Sequence, residues 1–268
     1  ITAFNSEKII LSCIQNLPKN SKKIIIENSG NYNLKKILSN RFANIRVEVM
    51  EENLGYGRAN NIGIKLSTTD YVFILNPDVI INTEELNLIL NTLKSLDFAI
   101  AAPIEKEEIS KFNFDNKIYK DVNEVKGFAM LLNKKKMKGE LFDENFFLYL
   151  EEIDLCKRIK KLNEKIFLLN IGINHLGGKS HDSQHNLEME KSRNWHWMWS
   201  KFYFYKKHYG YFYGFIKTLP NLIGSFIKFL FFLFINKTAK SQKYKMRCFG
   251  LTSSYLLKKS YYRPFLDK

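Results

Sequence analysis

The 268-residue sequence predicts an α/β fold in which a mixed, mostly parallel central sheet is flanked by helices and followed by a helical C-terminal extension. The first half alternates short β-branched segments with helical patterns, which is typical of crossover units between parallel strands. One strand pattern, at residues 71–75, ends in the polar residues Asn76, Pro77 and Asp78. The C-terminal residues are basic and aromatic and have a long helical pattern.

The predicted elements follow from hydrophobic periodicity and from residues that begin or end helices. We expect strands over residues 1–4, 23–27, 45–50, 71–75, 98–102, 125–132 and 166–169. We expect helices over residues 6–17, 34–38, 58–66, 84–94 and 152–162, and Asn82 and Glu85 have the spacing of a capping box for the fourth helix. Residues 105–123 are polar and predicted to be irregular, and the pattern is helical from residue 187.

The net charge of +15 is concentrated near the C-terminus. Residues 201–268 contain 14 basic residues, one acid and 20 of the 39 aromatic residues. This combination suits nucleic acid or an anionic membrane surface. The continuous Phe, Leu and Ile run favours the membrane, because stacking on bases requires separated rings. We therefore expect residues 202–237 to bind a membrane surface, and we expect no nucleic acid partner.

The most apolar part of this region, residues 222–235, has 14 residues and is interrupted by Lys228. It is shorter than the roughly 20 residues that cross a bilayer. We expect it to lie in the plane of the membrane or to re-enter it, and a buried core helix is the alternative.

The cysteines suggest a reducing compartment. Cys13, Cys156 and Cys248 are widely spaced and odd in number, so they suggest neither a zinc site nor a disulfide framework. No signal peptide pattern is visible, and the chain begins at Ile1 within a strand pattern, so we expect a few preceding residues. The expected location is cytoplasmic, peripheral on the inner face of the cell membrane.

Residues 142–158 place three acids at the start of a predicted helix, directly after an aromatic run. Glu151, Glu152 and Asp154 suit the first turn, where the helix dipole favours negative charge. Aromatic neighbours can raise a carboxyl pKa toward values useful for proton transfer. The alternative is helix capping together with an ion pair between Asp154 and Arg158.

Asp78 follows the strand at 71–75. Ligands of open α/β sheets bind at the carboxyl ends of the strands, where a metal or phosphate site is expected. The alternative is an ordinary turn, because Asn, Pro and Asp are common turn residues.

Seven segments, in order along the chain, are similar to those of one family. They are TAFN at 2–5, IIIENSG at 24–30, NLGYGRANNIGI at 53–64, YVFILNPDV at 71–79, VKGFAMLLNKK at 125–135, FDENFFLYLEEIDLCKR at 142–158 and NHLGGKS at 174–180. The sequence resembles the inverting family 2 glycosyltransferases of the GT-A fold, in particular their bacterial rhamnosyltransferase-like branch. KKHYG at 206–210 resembles the C-terminal extension of that branch.

The resemblance implies a domain organisation. It predicts a GT-A glycosyltransferase domain over residues 1–186, with a nucleotide-sugar half at about 1–103 and an acceptor and catalytic half at about 104–186. The basic helical region at residues 187–268 would associate with the membrane. The oligomeric state is left open.

The resemblance also implies the catalytic groups. Asp78 matches the last Asp of the family's metal motif and His175 its later metal-site histidine, so Mn²⁺ or Mg²⁺ is the expected cofactor. A histidine bonded within a loop or the core is the alternative for His175. Glu152 matches the general base, but the family usually has Glu then Asp at 151 and 152, so Glu151 is kept as the alternative base.

The donor would be a dTDP- or UDP-linked sugar. Glu27 stands where the family usually has Asp against the pyrimidine, which leaves the base preference open, and Arg58 suits the diphosphate. A tight turn with a surface Arg is the alternative reading of the Arg58 segment. The predicted donor-binding residues are Thr2, Phe4, Glu27, Asn28, Asn53, Gly57, Arg58, Asn60, Asn76, Asp78 and Gly127.

The expected activity is metal-dependent hexosyl transfer, with rhamnose implied by the branch, to a lipid-linked or polysaccharide acceptor. Trp195, Trp197 and Trp199 could stack on an acceptor sugar, and Trp195 is the residue assigned to it, although Trp195 and Trp199 are four residues apart and could form a packed helix face. Two alternatives are kept: a sugar-nucleotide pyrophosphorylase, and a non-catalytic membrane- or RNA-binding protein with a degenerate transferase domain.

Overall fold

A computed structural model describes residues 1–177 and 186–264. The chain forms two compact units: the first comprises Ile1–Asp143 and Glu152–Asp182, and the second comprises Glu144–Glu151 and Ser183–Lys268. The segment 144–151 therefore belongs with the C-terminal helices, and Glu151 and Glu152 lie on opposite sides of the division.

The first unit begins with a three-stranded parallel sheet. Strands β1 (Thr2–Ala3), β2 (Lys23–Glu27) and β3 (Ile45–Val49) pair in that order. Helices α1 (Glu7–Asn16) and α2 (Tyr32–Arg41) connect them. Helix α2 is longer than predicted because the side chain of Asn31 accepts a hydrogen bond from the amide of Leu34 and begins the helix.

The second sheet of this unit is mixed. Its strands are β4 (Tyr71–Leu75), β5 (Val79–Ile80), β6 (Ile100–Glu105), β7 (Tyr119–Asp121), β8 (Ala129–Asn133) and β9 (Ile166–His175). They are ordered β4-β8-β6-β9-β5, and β7 also pairs with β9. The surrounding helices are α3 (Tyr56–Leu66), α4 (Thr83–Leu93), α5 (Glu151–Lys161) and a 3₁₀ helix, Lys106–Lys111.

Several strands of this sheet differ from the sequence prediction, including β5, where no strand was predicted. Strand β9 has ten residues instead of the four expected at 166–169, and β7 lies within the segment predicted to be irregular. Both differences come from pairing: β7 forms an antiparallel ladder with residues 167–169 of β9, and the additional residues of β9 pair with β6 and β5. The predicted capping box is confirmed: Asn82 and Glu85 exchange side chain to backbone hydrogen bonds at the start of α4.

The second unit contains three helices, α6 (Asn186–Tyr209), α7 (Tyr211–Phe234) and α8 (Thr238–Tyr255). Gly210, at φ +91°, forms the turn between α6 and α7. Small and polar side chains of α7 face its neighbours, since Gly214, Thr218 and Ser225 are its buried residues. Most large apolar side chains of this helix are instead exposed.

Helix α7 corrects the expectation about length. Among the described residues, α7 is the one helix that could cross a membrane, judged by its length of 24 residues and its apolar composition alone. The expected length of the apolar segment was therefore wrong, because residues 222–234 are the second half of a helix that begins at Tyr211.

Candidate active site

The turn after β4 and the end of β9 meet through strand pairing. Strand β5 begins directly after Asp78, and its first residue, Val79, is the antiparallel partner of His175. This register brings Nε2 of His175 to 3.4 Å from Oδ1 of Asp78. The backbone amide of Leu176 also donates to the carbonyl of Asp78, at 3.0 Å. Two side chains separated by almost a hundred residues are thereby brought together.

Glu105 holds the other side of the imidazole. Its Oε1 lies 3.0 Å from Nδ1 of His175. Lys126 lies beside Glu105, with Nζ at 3.3 Å from the same oxygen, and donates to Glu108 at 2.6 Å. An Nδ1–H donor to Glu105 would leave Nε2 with its lone pair directed toward Asp78.

The ring of His175 is also packed. It stacks on Phe128 with centroids 4.6 Å apart and planes 8° apart. Burial lowers the pKa of the imidazole, but the carboxylates of Asp78 and Glu105 outweigh burial and raise the pKa of His175 above its ordinary value. The site therefore attracts positive charge.

Asp78 and His175 fit a divalent cation. Asp78 is only 1% exposed, and within the described residues its Oδ1 has no hydrogen-bond donor. Two atoms that bind one cation at about 2.1 Å lie roughly 3 Å apart in octahedral geometry, and the observed separation is 3.4 Å. Among the described residues, no group of three or more His, Cys, Asp or Glu side chains is placed to hold a metal.

Glu152 lies against Gly127. A Cβ atom built on Gly127 would be 3.3 Å from Cβ of Glu152 and 3.4 Å from its Cγ. The carbonyl of Gly127 accepts a hydrogen bond of 2.6 Å from the hydroxyl of Tyr56. The VKGF segment therefore supports two predicted catalytic residues, since Gly127 contacts Glu152 and the next residue, Phe128, stacks on His175.

The neighbouring acids have different surroundings. Glu152 is partly exposed, whereas Glu151 is only 4% exposed. Asp154 is fully buried and accepts a hydrogen bond of 2.9 Å from Nε of Arg158. The predicted Asp154–Arg158 pair is therefore confirmed, and Asp154 contributes to structure by fixing the first turns of α5.

A network of amides shapes the turn before α3. Asn28 donates to Asn53 at 2.9 Å and accepts from the amide of Leu54 at 2.9 Å. Asn53 in turn accepts from the amide of Gly55, which has φ +83°. Asn28 and Asn53, two of the predicted donor-binding residues, therefore determine the conformation of the loop that leads to Gly57 and Arg58.

The predicted diphosphate residues lie in the first turn of α3. Gly57 is buried and Arg58 is exposed. The amide groups at a helix N-terminus and a nearby guanidinium are both suited to an anion.

The predicted base-binding residues lie at the ends of β1 and β2. The hydroxyl of Thr2 donates to Oδ1 of Asn60 at 3.0 Å, and Phe4 is half-buried in the following turn. Glu27 is fully buried and its carboxylate accepts from the amides of Ser29 and Asn31 and from the Ser29 hydroxyl. If Glu27 contacts the nucleobase, it does so with a carboxylate oxygen that already accepts hydrogen bonds from the loop after β2.

Asn76 follows β4. Its backbone amide donates to the carbonyl of Phe128 at 2.8 Å. Its side-chain oxygen is buried and has no hydrogen-bond donor among the described residues. An unsatisfied buried oxygen next to Asp78 is consistent with a ligand site.

The structure corrects the predicted acceptor contact of Trp195. It is 1% exposed, and its ring packs against Trp199 and Tyr262, with centroids 6.5 and 5.9 Å apart. Gly250 of α8 contacts its backbone, where a Cβ would overlap the carbonyl of Trp195. The prediction that Trp195 stacks on an acceptor was wrong, because its ring has no exposed face.

Sequence reasoning missed Glu105, Tyr56 and Phe128. Glu105 is the last residue of β6, but the predicted strand ended at residue 102 and Glu105 was assigned to the irregular segment. Phe128 and Tyr56 belong to the quoted family segments, yet their contacts with His175 and Gly127 depend on strand pairing and helix packing.

Comparison with known proteins defines the class. The description Glycosyl transferase family 2 matches residues 1–155, which is more than half of the sequence. The chain belongs to this family, which confirms the predicted glycosyltransferase family, whereas the rhamnosyltransferase-like branch and metal dependence stay predictions.

Three proteins illustrate the similarity. The low-salt glycan biosynthesis hexosyltransferase Agl10 of Haloferax volcanii is 25% identical over 199 residues, which cover 64% of this chain and 62% of that protein. The mannosyltransferase PcManGT from Pyrobaculum calidifontis, solved with GDP-Man and Mn²⁺, has a TM-score of 0.57 at 9% identity and covers 96% of this chain and 86% of its own. S. aureus TarS 1–349 with UDP has a TM-score of 0.52 at 15% identity and covers 98% and 91%.

The two solved structures show the fold alone, and the predicted GT-A class is confirmed. The chain spans less than two thirds of the length of the hexosyltransferase it matches.

Proposed function

We propose that this protein is an inverting, metal-dependent glycosyltransferase that moves a hexose, with rhamnose as the preferred candidate, from a dTDP- or UDP-linked donor to a lipid-linked or polysaccharide acceptor. The observation that carries the proposal is the pairing of Asp78 with His175 in the unit that also holds Glu152 against Gly127. A pyrophosphorylase, which transfers a nucleotidyl group, is disfavoured because the chain belongs to a glycosyltransferase family.

Asp78 and His175 would hold Mn²⁺ or Mg²⁺, and the asparagines and glycines of the α3 turn would position the donor diphosphate. A divalent cation in this place supplies neutralisation of the negative charge that develops on the diphosphate leaving group. The exposed Arg58 in the first turn of α3 adds a bidentate donor for phosphate oxygens.

Glu152 would act as the general base. Inversion requires one base that removes the proton of the acceptor hydroxyl while its oxygen attacks the anomeric carbon and the bond to the diphosphate breaks. Glu152 is partly exposed and can reach a substrate, whereas Glu151 is buried. The proton ends on the Glu152 carboxylate and the bonding electrons leave with the nucleotide diphosphate.

The C-terminal helices would attach the enzyme to an anionic membrane surface. Exposed apolar side chains on α7 include Phe212, Ile216, Ile223, Ile227 and Phe231, which are between 52 and 81% exposed. The sequence from residue 191 to residue 264 contains 15 basic residues and no acid. An apolar face with basic surroundings suits acyl chains below anionic head groups, and we propose in-plane, peripheral binding on the cytoplasmic side.

A donor screen tests the function. Purified protein is incubated with dTDP-rhamnose, UDP-glucose, UDP-N-acetylglucosamine and GDP-mannose, with and without Mn²⁺ and a membrane extract, and released nucleotide diphosphate is measured. We expect release with a dTDP- or UDP-sugar that depends on the metal. Donor binding and release that are undetectable under every condition would instead support a degenerate, non-catalytic domain.

A further inference from the structure

The second unit exposes one large aromatic side chain in an otherwise enclosed part of α6. The residues on either side of Trp197, at positions 194–196 and 198–200, are all buried, but Trp197 itself is 39% exposed. Trp195 and Trp199 are core residues of the same unit. Within residues 194–200, Trp197 is therefore the side chain that stays accessible to a ligand.

Tyr149 completes the surface around Trp197. The two rings meet edge to face, with centroids 5.5 Å apart and an interplanar angle of 85°. This arrangement leaves one aromatic face beside a second ring that carries a hydroxyl group. Aromatic faces carry partial negative charge, and the C–H groups on one side of a pyranose ring carry partial positive charge, so a sugar ring can stack there.

The backbone around Tyr149 is strained and firmly held. Tyr149 and Leu150 have φ values of +72° and +68°, which is unfavourable for bulky residues. The same segment is fixed to α6, because Ser200 donates to the carbonyl of Leu148 at 2.8 Å and Phe147 stacks on His196 at 4.4 Å. Strain of this kind persists where neighbouring structure enforces it and is concentrated at functional sites.

The chain connects this surface to the proposed base. Tyr149 is separated from Glu152 by Leu150 and Glu151, and helix α5 begins at Glu151. The proposed platform residue Tyr149 and the proposed base Glu152 are thus three positions apart in the sequence.

We propose that Trp197 and Tyr149 form the stacking platform for the pyranose ring of the acceptor. This inference rests on the proposed transferase function and identifies the part of the second unit that recognises a sugar rather than a nucleotide. Of the three tryptophans that the sequence suggests for an acceptor sugar, the proposal selects Trp197, which lies on the opposite side of α6 from the buried Trp195 and Trp199.

Saturation-transfer NMR with methyl glycosides of rhamnose, glucose, galactose and N-acetylglucosamine tests the platform directly. We expect transfer to at least one glycoside, a loss of fivefold or more in Trp197→Ala, and partial retention in Trp197→Phe, which keeps a ring. Phe112→Ala is the matched control, because Phe112 is also exposed, at 46%, but lies in the first unit.

Fluorescence provides a second readout. Trp195 and Trp199 are 1 and 3% exposed, so iodide should quench mainly Trp197, and a bound glycoside should protect it. Unchanged glycoside signals in Trp197→Ala, equal loss in Phe112→Ala, or protection by lipid vesicles but by no glycoside would overturn the proposal.

Donor binding separates this proposal from the function itself. A thermal shift with UDP or dTDP and Mn²⁺ should be the same in wild type and Trp197→Ala. If neither protein binds a nucleotide, the proposed function fails. If both proteins show the donor shift and bind glycosides equally well, only the platform is rejected.

Discussion

Cβ of Glu152 lies so close to Gly127 that a methyl group on the glycine would be 3.3 Å away. This contact limits where Cβ and Cγ of Glu152 can lie. The hydrogen bond from the Tyr56 hydroxyl to the carbonyl of Gly127 holds the backbone of the glycine in place. These contacts restrict the position of the proposed base before any substrate binds.

Replacing the proposed base should reduce turnover and leave donor binding intact. We expect Glu152→Gln to lower kcat by roughly 10²- to 10⁴-fold, because loss of a general base acts mainly in the transition state. Steady-state kinetics and nucleotide titration measure the two effects. Glu151→Gln is the matched control, and a larger loss in that variant would transfer the role to Glu151.

Removing the charge of Asp78 should impair the metal site. We expect Asp78→Asn to lower transfer by about 10²-fold or more, because a neutral amide is a poor ligand for a hard cation. The measurement is nucleotide release over a range of Mn²⁺ concentrations. Near-normal activity of the variant, or full wild-type activity in excess EDTA, would exclude Asp78 from such a site.

Glu105 should act through His175. We expect Glu105→Gln to weaken Mn²⁺ binding by about 10- to 100-fold, as found for carboxylates that orient metal-binding histidines. Electron paramagnetic resonance of Mn²⁺ in the presence of UDP measures binding without turnover. Glu108→Gln is the control, since Glu108 also contacts Lys126 but forms no ion pair with His175. Equal effects in both variants would contradict the role of Glu105.

His196 should make the second unit sensitive to acid. Its Nε2 lies 2.9 Å from the carbonyl of Tyr262, to which it donates, and its Nδ1 lies 2.9 Å from the hydroxyl of Ser260, from which it accepts. Burial lowers the pKa of His196 to about 3, although the Tyr262 carbonyl opposes the shift. The folded state therefore keeps the ring neutral over a range in which the unfolded chain binds a proton.

The sign follows from this difference in proton binding. The stabilisation is complete above the unfolded pKa of about 6.5 and is lost as the pH falls toward the folded value. Between pH 6.5 and 4.5 we expect a loss of up to about 2–3 kcal/mol from this group. Denaturant unfolding at several pH values measures it, and His196→Gln should flatten the profile. Parallel profiles in the two proteins would show that other groups dominate.

Helix α7 should determine membrane binding. We expect Ile223→Ser combined with Ile227→Ser to reduce flotation with anionic vesicles at least about tenfold, because two exposed apolar side chains lose their burial in the bilayer. Leu88→Ser combined with Leu90→Ser is the control, since both residues are exposed on α4 of the first unit.

Salt and alkali distinguish the modes of attachment. Peripheral binding should weaken as salt screens the basic residues. Resistance of membrane-bound protein to both high salt and alkaline carbonate would instead indicate that α7 crosses the bilayer. Flotation that is unchanged in the α7 variant would assign its apolar face to a protein contact.

The sequence by itself determined the alternation of strands and helices, the family and the position of Asp78. These features depend on local signals: apolar period, capping residues such as Asn82 and Glu85, and polar residues at the end of a strand. The length of α7 was underestimated because its first turns combine aromatic rings with Lys217, which reads as a basic segment rather than as part of an apolar helix.

Only the tertiary structure decided how these residues are combined. Glu105 and Phe128 surround His175 because β6, β8 and β9 are neighbours in one sheet, and the pairing of β5 with β9 sets His175 beside Asp78. On α6, periodicity places Trp197 opposite Trp195 and Trp199, but it cannot show which side the other helices cover. Strand register and helix packing are long-range interactions, and a local pattern carries no information about the residues that will lie across from it.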